Sequence, residues 1–346
     1  MTLCAAFADQ SATCRRLGSP FMGRLCALLA EHWPSDSRLD LRCAEFSGDI
    51  GPAGASLPLR IAGGLHALVL KNLAPEMVAA YPPHDVSDAQ LRDAVLSALE
   101  THERFMLQWI ESPPQTNDVR RSAALMAGAA MAQEYFDLPV CLSDLGASGG
   151  LNLMWDHFAL QLPDARLGTS SPVLTLAPDW EGPSPPLTLP QVHDRAGVDL
   201  NPLDLSHPEG LLRLTAFLWP DQPERMALTR AAAAVADAPL ARGDAIDWLE
   251  ERLKSAPEGH LHLVQHTVAW QYFSAEAQTR GTRLMETAGA NTTASRPLAW
   301  LSMESDGDTR GALGAAVTLR MWPGDIRLDL GRADFHGRWI RWAGAY

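Results

Sequence analysis

From about residue 138 onward, short apolar runs alternate with stretches of helical periodicity. The first run is Pro139–Leu145, and later ones are Gly197–Leu200, Leu261–Val268 and Leu298–Met303. Short apolar runs between helices are typical of strands that are buried on both faces of a largely parallel sheet. The pattern therefore predicts an α/β fold in which helices cover a mostly parallel sheet.

The last apolar runs predict a hairpin at the end of this sheet. Ala315–Met321 and Ile326–Leu330 are joined by the sequence Trp-Pro-Gly-Asp, and so short a connection permits antiparallel pairing only. A proline-rich piece at about 163–190, with a strand at Val173–Leu176, is predicted to be an insertion.

The chain before this region is predicted to be helical, because apolar residues recur at three- and four-residue spacing. We expect two domains: residues 1–135 as a helical region that covers the site, and residues 136–346 as the sheet domain. The predicted helices are Phe21–Trp33, Leu57–Leu70, Asp88–Ile110, Val119–Tyr135, Glu209–Phe217, Pro223–Val235, Ala245–Lys254 and Ala269–Glu286.

Charge and hydropathy exclude several classes of partner. The 28 Lys and Arg residues stand against 41 Asp and Glu residues, for a net charge of −13, whereas binding to a phosphate backbone favours the opposite balance. No apolar run approaches the roughly 20 residues of a membrane span. We expect neither nucleic acid nor membrane as a partner.

The cysteines and the first residues predict a cytoplasmic protein. The five cysteines include no Cys-x-x-Cys pair, so neither a disulfide framework nor a zinc ribbon is expected. The first residues lack the basic start and apolar stretch of an export signal.

A glycine-containing turn follows the first predicted strand. Glycines let a chain turn sharply and let backbone amides approach a ligand, and a following helix start adds partial positive charge. We therefore predict a nucleoside cofactor at this turn. The predicted binding residues are Asp144, Gly146, Ala147, Ser148, Gly149 and Gly150.

Two further strand ends carry acidic residues. Asp199 ends the next strand candidate, where a carboxylate can accept both hydroxyls of a ribose, and Asp244 follows Gly243 after a short strand. Both have plainer interpretations, which stay open: Asp199 precedes a turn-forming Asn-Pro, and Asp244 has the position of a helix N-cap.

The strand Leu261–Val268 ends in a second group of polar residues. His266 is the candidate general base, and Gln265, Thr267 and Trp270 are candidates for the substrate pocket. A hydrogen-bonded core histidine is the alternative for His266. No cysteine or carboxylate stands at ligand spacing from the histidines, so we predict no metal site.

Polar residues also precede the first strand. Asn117 and Arg120 open the preceding helix, and Arg120 is placed to reach the carboxylate of a cofactor or an acidic substrate. The alternative for Arg120 is a surface ion pair.

Asp144-Leu-Gly-Ala-Ser-Gly-Gly150 resembles the first motif of the class I S-adenosylmethionine-dependent methyltransferases. Gly146 and Gly150 match its outer glycines, and Ser148 replaces the middle one. The resemblance covers roughly residues 138–333. It implies a Rossmann-like methyltransferase sheet of seven strands, mostly parallel, with an antiparallel hairpin at the end and a helical N-terminal extension. It also implies S-adenosylmethionine as cofactor, with Asp144 near its methionine end, Asp199 at the ribose and Asp244 at the adenine.

Nearly the whole chain also resembles a bacterial family, domain of unknown function 2332. The strings that carry this resemblance are QTNDVRRSAAL, LGASGGLNLMWDHF, GVDLNPLDL, FLWPDQPER and QHTVAWQYF. This likeness implies membership but no activity.

The sequence thus predicts a methyltransferase acting on a small-molecule acceptor. Motifs of serine hydrolases, P-loop enzymes and zinc proteases are missing. Two alternatives stay open: a nicotinamide-dependent oxidoreductase, since a glycine turn and a ribose-binding acid serve both cofactors, and a non-catalytic nucleotide-binding or interaction module. The acceptor and the oligomeric state stay open.

Overall fold

The computed structural model describes residues 1–51, 54–307 and 314–344. The chain divides into two compact units. The first combines Met1–Thr116 with Leu205–Ala227, and the second combines Asn117–Asp204 with Leu228–Tyr346. The predicted helix before the first strand belongs to the second unit.

The α-helices largely follow the predicted apolar spacing. One predicted helix, Asp88–Ile110, is divided at His102, whose φ of −109° and ψ of 25° are not helical. The helices are α1 (Leu3–Arg16), α2 (Pro20–His32), α3 (Arg38–Ala44), α4 (Leu57–Leu70), α5 (Pro75–Ala80), α6 (Asp88–Thr101), α7 (Glu103–Trp109), α8 (Ser122–Phe136), α9 (Pro208–Ala216), α10 (Pro223–Ala233), α11 (Ala245–Arg252) and α12 (Ala275–Ala290).

The first unit is helical and has its own apolar core. Helices α1 and α2 form a hairpin, and the Ser19 side chain caps α2 by accepting a hydrogen bond from Met22 N. Leu25 and Ile61 are among the fully buried core residues. Burial of these apolar faces is the main force that holds short helices together.

The second unit contains the strands. They are β1 (Val140–Leu145), β2 (Phe158–Gln161), β3 (Arg166–Gly168), β4 (Leu174–Leu176), β5 (Asp179–Glu181), β6 (Val192–Asp199), β7 (Leu240–Arg242), β8 (Leu261–Thr267), β9 (Leu298–Glu304), β10 (Ala315–Trp322), β11 (Ile326–Ala333) and β12 (Trp339–Trp342).

A mostly parallel sheet of nine strands confirms the predicted α/β class. Its order is β5-β12-β11-β10-β9-β8-β1-β6-β7, and the strands from β7 through β9 are parallel neighbours. The predicted hairpin is present as the antiparallel pair β10 and β11. The expected count of seven strands is corrected to nine, because β12 and β5 extend the sheet beyond the hairpin.

The piece at about 163–190 contains short strands rather than helix. The predicted strand at Val173–Leu176 is present as β4, which lies beside β2 in a small sheet of order β3-β2-β4. Strand β5 leaves this piece to pair with β12. Over the described parts of the chain, every helix is too short or too polar to cross a bilayer.

Candidate functional site

The turn after β1 contains three residues in the left-handed region. Gly146, Ser148 and Gly150 have φ angles of 74°, 52° and 74°. Glycine adopts this conformation freely, whereas serine is strained by its Cβ. The Ser148 hydroxyl oxygen is also buried and makes no hydrogen bond within the described residues. Local strain beside an orphaned polar atom makes the turn a candidate functional site.

The α-helix expected after this turn is absent, and that prediction was wrong. Two short 3-10 turns, Leu151–Leu153 and Trp155–His157, lead directly into β2. Arg195 on β6 holds this segment: it donates to Leu153 O at 2.8 Å and forms two bonds with Asp156, at 2.8 and 2.7 Å. The turn therefore lacks the helix macrodipole that we expected to attract an anion.

Backbone oxygens occupy part of the predicted amide cradle. Gly146 N and Ala147 N both donate to Val198 O, at 2.9 and 3.0 Å, and Gly150 N donates to Ala147 O at 2.8 Å. The first two bonds tie the turn to the end of β6, and the third closes the turn on itself.

Side-chain oxygens occupy two more amides. Ser148 N donates to Asp199 Oδ2 at 2.9 Å, and Leu151 N donates to the buried Asn117 side chain at 2.8 Å. The expectation of amides open to a ligand is thus corrected, since the chain's own oxygens bind them here. Ligand contact at Gly149 and the rest of the turn stays a prediction.

Gly146 has a packing role as well as a conformational one. A Cβ at Gly146 would lie 2.6 Å from the Cβ of Ala269, in the turn after β8. The turns after β1 and β8 therefore touch at the point where the order of the parallel strands reverses.

Asp144 is a buried carboxyl group next to the turn. It is 3 % exposed and pairs in register with Gln265 of β8. Burial raises its pKa to about 8, the charge of Asp199 adds to the rise, and a hydrogen bond with Gln265 opposes it. A carboxyl group that titrates near neutral pH at a strand end is a candidate functional group.

Gln265 anchors the segment after the turn. Its Oε1 accepts from Trp155 Nε1 at 3.1 Å, and its Nε2 donates to Asn152 O at 2.9 Å. Gln265 therefore holds the 3-10 segment against β8, and its predicted role in a substrate pocket stays a prediction.

His266 is buried with both ring nitrogens bonded. Trp300 Nε1 donates to Nε2 at 2.8 Å, so Nε2 carries no proton and Nδ1 donates to Glu304 Oε1, also at 2.8 Å. The predicted pocket residue Trp270 stacks on this imidazole with centroids 5.1 Å apart. The ring has the geometry of the core histidine that was the alternative interpretation, and its role as a base stays a prediction.

Glu304, at the end of β9, was missed at the sequence level. Its Oε1 also accepts from Ala269 N at 2.9 Å and Trp270 N at 3.1 Å. Burial raises its pKa, but the bonds from His266 and the two amides outweigh burial and leave the pKa lowered. A charged residue that ends an apolar strand, as Asp199 does, was the signal that could have identified it.

The other predicted acids lie at the same edge. Asp199 also accepts from Asn201 N at 2.8 Å, as expected for a turn, and the neighbouring Leu200 is 75 % exposed. Asp244 caps α11 by accepting from Ile246 N and Asp247 N. Its cap geometry matches the plainer interpretation, although the residue is exposed at the end of β7.

The two arginines before α8 have different surroundings. Arg120 forms an ion pair with Asp118 at 3.4 Å, but Asp118 is buried, so this is not the surface pair of the alternative interpretation. Arg121 is buried and donates to Phe335 O at 2.8 Å and to Thr267 O at 3.4 Å. Thr267, a predicted pocket residue, therefore meets Arg121 through its carbonyl.

The structure gathers most of the predicted residues at the carboxyl edge of the sheet, where β1, β6 and β8 end. Direct bonds connect Asp199 with Ser148, Asn117 with Leu151, and Gln265 with the 3-10 segment. Within the described ranges, Arg120 instead pairs with Asp118, and Asp244 binds Ile246 N and Asp247 N. Groups of three or more metal-binding side chains in ligand geometry are not found in the described chain.

A polar cavity of about 290 Å³ lies near the opposite, amino ends of the strands. Arg252 donates there to Ser143 Oγ at 3.1 Å and pairs with Asp194. Burial lowers the pKa of His262 to about 3, so this imidazole is neutral. The cavity is lined by Cys141, His193, Asp194, Arg252, Ser255, Ala256, Pro257 and His262.

Comparison with family models matches residues 4–342 to a family described as "Uncharacterized protein conserved in bacteria (DUF2332)". None of the curated proteins and none of the solved structures compared with the chain matches it.

Proposed function

The chain belongs to the bacterial DUF2332 family, and from its site geometry we propose that it is a methyltransferase that uses S-adenosylmethionine and acts on a small-molecule acceptor. The observation that carries the proposal is the order of the parallel strands. Counted along the chain within this part of the sheet, β7, β6, β1, β8 and β9 are the third, second, first, fourth and fifth strands. This is the doubly wound, Rossmann-like order, in which ligands bind beyond the carboxyl ends at the switch point.

The acidic residues at those ends suit a nucleoside. Asp199 ends the second strand and offers a carboxylate to two ribose hydroxyls, and exposed Leu200 beside it offers an apolar surface to a base. Asp244, just after the third strand, can accept a hydrogen bond from an exocyclic amine.

Asp144 and Ser148 suit the charged end of the cofactor. The buried Ser148 hydroxyl has no hydrogen bond within the described part of the chain, so a ligand oxygen or amine would satisfy it. A cation beside Asp144 favours its ionised form, so binding of a cationic group releases a proton from this carboxyl.

Asp199 must exchange partners in this proposal. Its bond to Ser148 N is a single hydrogen bond at a partly exposed site, which a ribose can replace at modest cost. The freed amide then faces the ligand.

S-Adenosylmethionine would supply a methyl group bound to a sulfonium sulfur. An acceptor attacks the methyl carbon in line, and the sulfur is the leaving group. The protein's task is to position the acceptor and exclude water. Acceptors that must lose a proton need a base, and His266 can serve only after Trp300 releases Nε2, the ring nitrogen that carries no proton.

Titration calorimetry with S-adenosylhomocysteine tests the cofactor site. We expect saturable binding by the natural protein and at least a tenfold loss with Asp199→Ala, since the ribose loses two charge-assisted bonds. Asp164→Ala, at an exposed aspartate in the 163–190 piece, is the matched control and should bind normally. Absence of binding by the natural protein, or equal binding by Asp199→Ala, would refute the proposal.

A second candidate is a non-catalytic module on the same fold. The observation that favours it is the internal bonding of the turn amides of Gly146, Ala147, Ser148 and Gly150, which are satisfied without a ligand. Binding of neither S-adenosylhomocysteine nor NAD in the same calorimetry would favour this candidate, whereas binding of NAD alone would favour an oxidoreductase.

A further inference from the structure

The polar cavity at the amino ends of the parallel strands is built on one row of residues across the sheet. Cys141 of β1 is in register with Asp194 of β6 on one side and with His262 of β8 on the other. Residues in register present their side chains to the same face, and Ser143, two residues further along β1, shares that face. Arg252, the last residue of α11, reaches over the row, since it donates to Ser143 Oγ and pairs with Asp194.

The imidazole of His262 has one ring nitrogen without a partner. His262 is 2 % exposed, and its Nδ1 makes no hydrogen bond with any residue of the described chain. Its Nε2 lies 2.9 Å from Ser143 Oγ, which already accepts from Arg252 Nε at 3.1 Å. Ser143 is fully satisfied when its hydroxyl donates to Nε2, so the ring proton is on Nδ1. A buried N–H group without an acceptor is costly, and a ligand oxygen in the cavity would remove that cost.

The charges of the cavity cancel. Arg252 and Asp194 form an ion pair. Burial and the charge of Arg252 lower the pKa of His262 to about 3, so the imidazole is neutral, and burial raises the pKa of Cys141, so the thiol keeps its proton. A ligand with one net charge would leave that charge unbalanced in a partly enclosed site, whereas a zwitterion brings both signs.

Both members of the ion pair have atoms left for a ligand. Among residues 1–51, 54–307 and 314–344, Arg252 bonds through Nε and Nη2 and Asp194 bonds through Oδ2, which leaves Nη1 and Oδ1. Nη1 and His262 Nδ1 are donors that suit a carboxylate, and Asp194 Oδ1 is an acceptor that suits an ammonium group. The volume of about 290 Å³ is close to the lower end of the range of roughly 300–1,000 Å³ that small-molecule sites occupy.

We propose that this cavity binds a small zwitterion of the α-amino acid class. The carboxylate of the ligand accepts from His262 Nδ1 and Arg252 Nη1, and its ammonium group donates to Asp194 Oδ1. The cavity lies at the amino ends of the strands, so it is separate from the proposed cofactor site at the carboxyl ends. Binding here does not depend on the proposed methyltransferase activity.

Titration calorimetry with three probes of similar size tests the ligand class. L-Alanine carries both charges, propionate lacks the ammonium group, and ethylammonium lacks the carboxylate. We expect saturable binding of L-alanine by the natural protein, and binding of each other probe that is weaker by about tenfold or more, since each loses one charge-assisted contact. Binding of propionate or ethylammonium as tight as that of L-alanine, or no binding of L-alanine, would overturn the proposal.

Two variants locate the probe. His262→Gln keeps a polar group for Ser143 but removes the Nδ1 donor, so L-alanine binding should weaken by about tenfold. Asp194→Asn removes the partner of the ammonium group, so it should weaken the binding of L-alanine and strengthen that of propionate, because Arg252 is then unbalanced. A variant that merely damaged the fold would weaken both.

Asp325→Asn is the matched control. Asp325 is as exposed as Asp194 and likewise pairs with an arginine, but it lies in the turn between β10 and β11. This variant should bind all three probes as the natural protein does. Unchanged L-alanine binding in His262→Gln, or an unchanged preference between L-alanine and propionate in Asp194→Asn, would show that the cavity is not the binding site.

Discussion

Two turns at the carboxyl edge are capped in the same way but at different depths. After β1, Asp199 from the neighbouring β6 accepts from Ser148 N. After β8, Glu304 from the neighbouring β9 accepts from Ala269 N and Trp270 N. In both cases a carboxylate at the end of one strand accepts hydrogen bonds from backbone amides that follow the adjacent strand of the sheet.

The two carboxylates differ in how deeply they are buried, and this difference separates their roles. Glu304 is 8 % exposed and also accepts a hydrogen bond from His266. If its carboxylate moved away from the two amides, several buried polar groups would lose their hydrogen bonds. Asp199 is partly exposed and binds one amide of the β1 turn, so a ligand can displace it from that amide at lower cost. We therefore infer that Glu304 has a structural role in the β8 turn, whereas Asp199 at the β1 turn can exchange its amide for a ligand.

Removal of the deeper cap should have the largest effect. Glu304→Ala leaves His266 and two amides without their acceptor, and breaking such a buried pair costs roughly 3–5 kcal/mol. Hydrogen exchange of the 268–273 segment should accelerate by two orders of magnitude or more. Glu286→Ala, which removes a half-exposed partner of Arg320, is the control and should leave this segment unchanged. Equal exchange in both variants would contradict the structural role of Glu304.

The two buried carboxyls at this edge should also differ in their pH dependence. The pKa of Asp144 is raised to about 8, so the folded state binds its proton more tightly than the unfolded state does. Its stabilising contribution is complete below the ordinary Asp pKa near 4 and is lost as pH rises to about 8. The slope approaches about 1.4 kcal/mol per pH unit inside this window. Glu304, with its lowered pKa, contributes with the opposite sign in acid.

Asp144→Asn isolates this contribution. Urea unfolding between pH 5 and pH 8 should show a decline of stability in the natural protein that is smaller in the variant. The same decline in both proteins would mean that Asp144 is ionised across this range, and the contrast with Glu304 would fail.

The sequence predicted the sheet better than the contacts of the site. A strand that is buried on both faces consists largely of apolar residues. For this reason β1, β8 and the β10–β11 hairpin could be located from apolar runs in the sequence. The last two strands at one end of the sheet, β12 and the edge strand β5, are short, and prolines flank β5, so neither forms an apolar run that the sequence could reveal.

The conformation after the β1 turn depends on residues far away in the chain. Leu151 N is bound by Asn117, and the 3-10 segment is held by Arg195. A helical pattern of apolar residues cannot reveal such partners, because it records which face is buried and not what binds the backbone. The same limit explains why the acidic strand ends were predicted while their amide partners were not.

A smaller effect tests the contact between the two turns. Gly146→Ala combines a left-handed φ of 74° with a Cβ that would lie 2.6 Å from the Cβ of Ala269. Strain of this kind costs about 1–3 kcal/mol. Gly243→Ala is the matched control, because no atom lies within 4 Å of its added Cβ. We expect urea unfolding at a lower concentration for Gly146→Ala and little change for Gly243→Ala. If the Gly146→Ala loss disappears when Ala269 is also changed to Gly, steric contact between the turns is its cause. If the loss persists in full, the backbone angle alone is responsible, and the β1 turn is free to move independently of the rigid β8 turn.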